Sequence, residues 1–143
     1  MIAKGMLRRD IWNRIRVGDT ALFKVVIDGK KVSDFVSLSG DANPLHFKEK
    51  IARERGFKSP ISHGMLLASF FSTLVGRYFL KDHNLYLSQN IDFVSPVFVG
   101  ETVVVKGKVK GKIDSLRILE LETVIVNEKG KKVVKGLAKV KYI

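Results

Sequence analysis

The sequence predicts an α+β protein in which an antiparallel sheet of about five strands wraps around one long central helix. Three observations carry that expectation. From Met65 to Leu80 the apolar residues Met65, Leu66, Leu67, Phe70, Phe71, Leu74, Val75, Tyr78 and Phe79 match helical spacing on more than one face, and no Gly or Pro intervenes before Gly76. A helix apolar most of the way round has to be buried. From Leu85 to the end of the chain the pattern changes to alternation, strictest from Val103 to Lys112, where Val103, Val105, Gly107, Val109 and Gly111 oppose Lys106, Lys108, Lys110 and Lys112. The lengths also agree, since about 17 helical residues at 1.5 Å span ~25 Å and about eight strand residues at 3.3 Å span the same distance.

The elements follow in order. Ile11 to Arg16 suits a short turn of helix. Val17-Gly18-Asp19-Thr20 reads as a turn into a strand from Ala21 to Ile27, closed by the turn pair Asp28-Gly29. Val32, Phe35, Val36 and Leu38 fit a short amphipathic helix ended at Ser39-Gly40. A loop from Asp41 to His46 follows, then a second short helix over Lys48 to Arg55, stopped at Gly56. Pro60 precedes the long helix, for which Ser62 is the expected N-cap, its hydroxyl answering a free first-turn amide. Four strands then run from Leu85 to Val94, Val103 to Lys112, Arg117 to Asn127 and Lys132 to Ile143, with a turn at Asn127-Glu128-Lys129-Gly130. Glu120 and Glu122 share a face, as do Lys135, Lys139 and Lys141, which predicts cross-strand Glu and Lys pairing on a solvated surface. Gly107, Gly111 and Gly136 would ease the bending that wrapping demands. Open sheet edges and a helix covered on one side predict a homodimer or a multiple of one.

Composition bounds the possibilities. The chain has 143 residues, 45% of them hydrophobic, which suits one domain over residues 1–143. It has no cysteine, which excludes disulfides, thiolate metal sites and a thiol nucleophile. The stretch MIAKGMLRRDIWNRIRVGD has basic residues without the continuous apolar run of an export signal, so a cytoplasmic location is expected. Ser69, Ser72 and Arg77 interrupt an apolar helix already shorter than the roughly 18 to 20 residues of a membrane span, so no membrane partner is expected. Lys and Arg number 26 against 14 Asp and Glu, a net charge of +12 that attracts anions in general. Without a helix-turn-helix pattern or a basic run interleaved with aromatics, that charge does not specify nucleic acid.

The chemistry concentrates just before the long helix. In Gly40-Asp41-Ala42-Asn43-Pro44-Leu45-His46 a carboxylate and an imidazole on one loop could share a water, one taking a proton while the other delivers one. The same residues also make a common turn composition with a structural His. Gly64, at the start of the buried helix, would present bare amides and the positive end of the helix dipole to a carbonyl, or would serve only close packing. His63 and His83 are read as residues without a chemical role.

The run Leu38 to His46, followed by Pro60-Ile61-Ser62-His63-Gly64-Met65-Leu66-Leu67-Ala68-Ser69, resembles the hydratase motif of the MaoC-like dehydratases, the (R)-specific enoyl-CoA hydratases. Val94 to Thr102 resembles a later part of that family more loosely, and the first twenty residues match nothing in it. The resemblance implies a hot-dog fold and (R)-specific hydration of trans-2-enoyl thioesters, or the reverse dehydration. By the same likeness Asp41 and His46 are the catalytic pair, Gly64 polarises the thioester carbonyl, and Ser72 and Asn43 are supporting polar groups in substrate binding. The implied substrate is an acyl-CoA or acyl carrier protein thioester, with no cofactor and no metal. A hot-dog acyl-CoA thioesterase and a non-enzymatic acyl-CoA- or nucleic-acid-binding protein are the alternatives, separated from a hydratase by product.

Overall fold

The computed structural model describes residues 11–143, and the reading of the extreme N-terminus as free of an export signal lies in part outside them. Residues 11–14 are helical. Strand β1 (Thr20–Val26) leads to helix α1 (Gly29–Ser39), a 3-10 turn over Pro44–His46 and a short helix α2 (Glu49–Glu54). The central helix α3 (Gly64–Thr73) continues in π-helical winding over Leu74–Phe79. Strands β2 (Asn84–Gln89), β3 (Asp92–Phe93), β4 (Thr102–Ile113), β5 (Ile118–Val126) and β6 (Lys132–Tyr142) complete an antiparallel six-stranded sheet. Its order is β1-β4-β5-β6-β2, with β3 also on β6. This is the helix-and-sheet arrangement anticipated from the hydrophobic pattern.

The change of winding in the central helix follows from what must be buried. In an i→i+5 winding, residues five apart are brought toward the same face of the helix. Leu74 therefore aligns with Phe79 and Val75 with Leu80, and all four are 7% exposed or less. Leu74 and Phe79 pack against β4 at Gly107, where an added Cβ would stand 2.8 Å from Leu74 Cδ2 and from Phe79 Cε2. Glycine there lets the helix lie against the sheet. Phe71, Leu119, Leu121, Ile125, Val134 and Val140 belong to the same core.

Four local expectations are corrected. The single strand expected from Leu85 to Val94 is divided into β2 and β3, because the chain turns over Gly136 of β6: an added Cβ on Gly136 would collide with the Asn90 carbonyl. The Asn90 side chain there accepts the Leu137 amide at 2.7 Å. Asp28, read as half of a turn, is the N-cap of α1 and accepts from the Lys31 amide at 2.9 Å. Ser62 does not cap α3; its hydroxyl donates to the His63 carbonyl, and the capping position is held by His63 with no side-chain capping bond.

The fourth correction concerns Lys112. The β4–β5 register slips between Val109 and Gly111, so Lys112 pairs with the buried Leu119 and changes face. A one-residue slip inverts every side chain beyond it. Lys112 Nζ consequently donates to the Trp12 and Ile15 carbonyls at 2.7 and 3.1 Å and lies 4.7 Å from the centroid of the Trp12 ring. Trp12 Nε1 donates to Asp114 at 2.9 Å, so the first helical residues close that end of the roll. Lys106, Lys108 and Lys110 do face solvent. Lys110 and Lys139 lie 3.9 and 4.0 Å from Glu122 and Glu120, the cross-strand pairing expected of that face. Among the described residues no helix is long and apolar enough to cross a membrane.

Candidate active site

The loop after α1 is shaped by its own short polar side chains. Helix α1 ends at Gly40 with φ +78°, and Ser39 Oγ then accepts the Asp41 amide at 3.2 Å. Asp41 Oδ1 accepts the Asn43 amide at 3.2 Å, and Asn43 Oδ1 accepts the Leu45 amide at 3.1 Å. Such Asx bonds let a loop fold without a ladder. Asn43 thus caps the 3-10 turn that carries His46.

Two imidazoles meet this loop. His46 Nδ1 lies 2.7 Å from the Ile61 carbonyl and must donate to it, because a carbonyl only accepts. In the neutral ring His46 Nε2 then keeps a lone pair, 3.9 Å from Asp41 Oδ2. His63, 2% exposed, donates from Nε2 to the Asp41 backbone carbonyl at 3.0 Å, and the same nitrogen lies 3.9 Å from Asp41 Oδ2. The two rings stack with centroids 3.7 Å apart at 28°. Phe35 lies against His63 with centroids 4.8 Å apart.

Asp41, His63 and Gly64 line a cleft of about 540 Å³ together with Phe35, Met65 and Phe93. His46 borders a neighbouring cleft of about 550 Å³ with Val32, Phe47 and Pro60. The carboxylate and imidazole therefore face each other from adjoining clefts. The Gly64 amide, at the first helical position of α3, finds no acceptor among the described residues and sits at the positive end of the helix dipole. An added Cβ there would stand 2.9 Å from Phe93 Cε1, so the aromatic ring lies directly over the backbone.

Of the residues singled out in the sequence, Asp41, His46 and Gly64 are brought to one end of α3. Asn43 is adjacent, but its side chain is spent on the Leu45 amide. Ser72 is exposed two turns further along α3, outside the residues lining the cleft of this chain. His63, read as having no chemical role, is the buried centre of the cluster. Its one sequence signal was its place beside Gly64 at the start of a helix that has to be buried. Asp41, His46 and His63 offer ligand atoms within 4.8 Å of one another, a convergence that their spacing in sequence conceals. They suit proton traffic better than a metal: His63 Nε2 and His46 Nδ1 are committed to carbonyls, and the stacked rings do not splay toward a common tetrahedral centre.

A family model described as MaoC like domain matches residues 15–131. The (R)-specific enoyl-CoA hydratase of Aeromonas caviae is 38% identical over 127 residues, covering 89% of this chain and 95% of that protein. The enzyme of the same description from Rhodospirillum rubrum is 32% identical over 126 residues, covering 88% and 87%. Among solved structures, the (R)-hydratase of A. caviae superposes with a TM-score of 0.88 at 37% identity, over 91% of this chain and 98% of that one. An unliganded R-hydratase of Pseudomonas aeruginosa gives 0.87 at 29% identity, over 92% and 84%.

Proposed function

The chain belongs to the MaoC-like domain family with a hot-dog fold, and from that membership we propose that it adds water to trans-2-enoyl thioesters to give (R)-3-hydroxyacyl thioesters, or catalyses the reverse dehydration. The observation that carries the reading is the gap of 3.9 Å between Asp41 Oδ2 and His46 Nε2. It is too wide for a direct hydrogen bond and suits one water bound to both groups.

In this reading the Asp41 carboxylate accepts a hydrogen bond from one O–H of the water and orients it, that proton staying on the oxygen, and His46 Nε2 takes the other proton as the oxygen bonds to C3. Electron density moves from the C2–C3 double bond toward the thioester oxygen. The Gly64 N–H, at the dipole end of α3, donates to that oxygen more strongly as its charge grows, which favours the transition state over the ground state. The imidazolium at His46 then carries the proton that C2 requires. Water supplies both the hydroxyl group at C3 and the hydrogen at C2, and the stoichiometry needs no further reactant.

The substrate is a thioester of coenzyme A or acyl carrier protein. A second copy of the chain is expected on the β2–β3 edge, where Leu85, Leu87, Phe93 and Val94 are all between 45% and 53% exposed next to open backbone groups. Light scattering should give a dimer or a multiple of it; a stable monomer at micromolar concentration would refute that arrangement. Crotonyl-CoA incubated with the protein should lose its enoyl absorbance and yield the (R)-3-hydroxy product without added metal. Formation of the free acid would establish a thioesterase instead, and an (S) product would overturn the assigned face of attack.

A further inference from the structure

We propose that His63 is a positioning residue of the hydration site, tying the Asp41 loop to the central helix and holding His46 in register with it. This inference rests on the hydration reading above.

The bonds that Asp41 makes to Ser39 and Asn43 join residues two apart in sequence and are exposed. They shape the loop without placing it against the rest of the molecule. The bond from His63 Nε2 to the Asp41 carbonyl is of a different kind: it crosses 22 residues, and its donor is 2% exposed and fixed at the N-terminus of α3. His63 therefore connects the Asp41 carboxylate to the segment that presents the Gly64 amide. Its ring also covers one face of His46, whose orientation is otherwise set by the single bond from Nδ1 to Ile61. One side chain thus sets the separation of the three groups assigned to water and thioester.

His63 Nδ1 supports this role. It is buried and has no hydrogen-bond partner among the described residues. Burying a polar atom without a partner is unfavourable, and a phenyl ring would fill similar space without that cost. Packing alone does not account for histidine here, whereas the donor at Nε2 does. The same nitrogen cannot serve as a base toward the substrate while it donates to Asp41, which separates its role from that of His46.

The test separates positioning from packing. H63F keeps a stacked ring and removes both the Nε2 donor and the orphaned Nδ1, so its melting temperature should equal or exceed that of wild type. Its kcat for crotonyl-CoA should fall by about ten- to a hundredfold, the scale of catalytic loss for misplacement of about 1 Å, with KM unchanged. H63Q restores a donor at the reach of Nε2 and should recover part of kcat. In a D41N background, H63F should cause no further loss, because the phenyl ring still covers His46 and the lost Nε2 donor acts through Asp41. Active wild type with H63F and H63Q both at wild-type kcat would overturn this inference and leave the hydration reading intact. Additive losses in D41N would also overturn it. Wild-type protein inert toward crotonyl-CoA would overturn the hydration reading, and this inference with it.

Discussion

Substitution of Gly64 by alanine places one methyl group where the proposed carbonyl donor and the cleft wall meet. The added Cβ would stand 2.9, 3.0 and 3.1 Å from Phe93 Cε1, Cδ1 and Cζ. Ordinary carbon contacts begin near 3.5 Å, so the ring has to retreat by about 0.6 Å or more. Phe93 is 53% exposed on a two-residue strand, and its ring can move without opening the core. The backbone at Gly64 lies outside the left-handed region, and alanine in a helix gains up to about 0.5 to 1 kcal/mol over glycine. Stability should therefore be unchanged or slightly raised. Turnover should fall: alanine keeps the N–H, but its methyl group and the displaced Phe93 ring occupy the space through which a thioester oxygen has to approach the amide to about 2.7 to 3.1 Å, and loss of that one contact costs about 2.7 to 4 kcal/mol, or roughly 10² to 10³ in kcat. The assay is loss of crotonyl-CoA absorbance under saturating substrate, beside a thermal melt. A G64A protein that melts as wild type and turns over as wild type would refute the assignment of the amide.

Other perturbations address separate parts of the structure. D41N and H46A should each lower kcat by at least about a hundredfold, the lower range for general acid–base groups. D41N should leave the melting temperature nearly unchanged, because the carboxylate is half exposed and its 3.9 Å contacts with the two imidazoles contribute about 1 kcal/mol or less; near-wild-type turnover in either variant would refute the pair. K112A removes the donor shared by the Trp12 and Ile15 carbonyls and should destabilise the fold by about 1 to 3 kcal/mol in urea titration without altering kcat. Burial pushes the Tyr86 phenol up to about 12, so absorbance at high pH should show one tyrosine titrating there that is missing from Y86F. A raised folded-state value means that Tyr86 contributes stability fully below the ordinary value near 10 and loses it as pH rises toward 12. If Tyr86 ionises near 10, its burial is wrong.

Short-range patterns determined much of this protein in the sequence alone. The apolar surround of residues 65–80 required a buried helix, and the alternation after Leu85 required strands with one wet face, because each periodicity is a property of neighbouring residues. Asp41, Asn43, His46 and Gly64 were legible as residue types in a turn and at a helix start, and the motif they form pointed to a family with one chemistry. Ladder register and side-chain approach were decided only by tertiary structure. The slip after Val109 turned Lys112 inward, and the collision avoided at Gly136 divided one expected strand into two. The contacts of His63 were not legible for the same reason: its partners Asp41, His46 and Phe35 lie 22, 17 and 28 residues away, and no local period brings them together. Its place in the cluster arises from the burial of α3, which brings the start of that helix against a loop whose local bonds shape it without placing it.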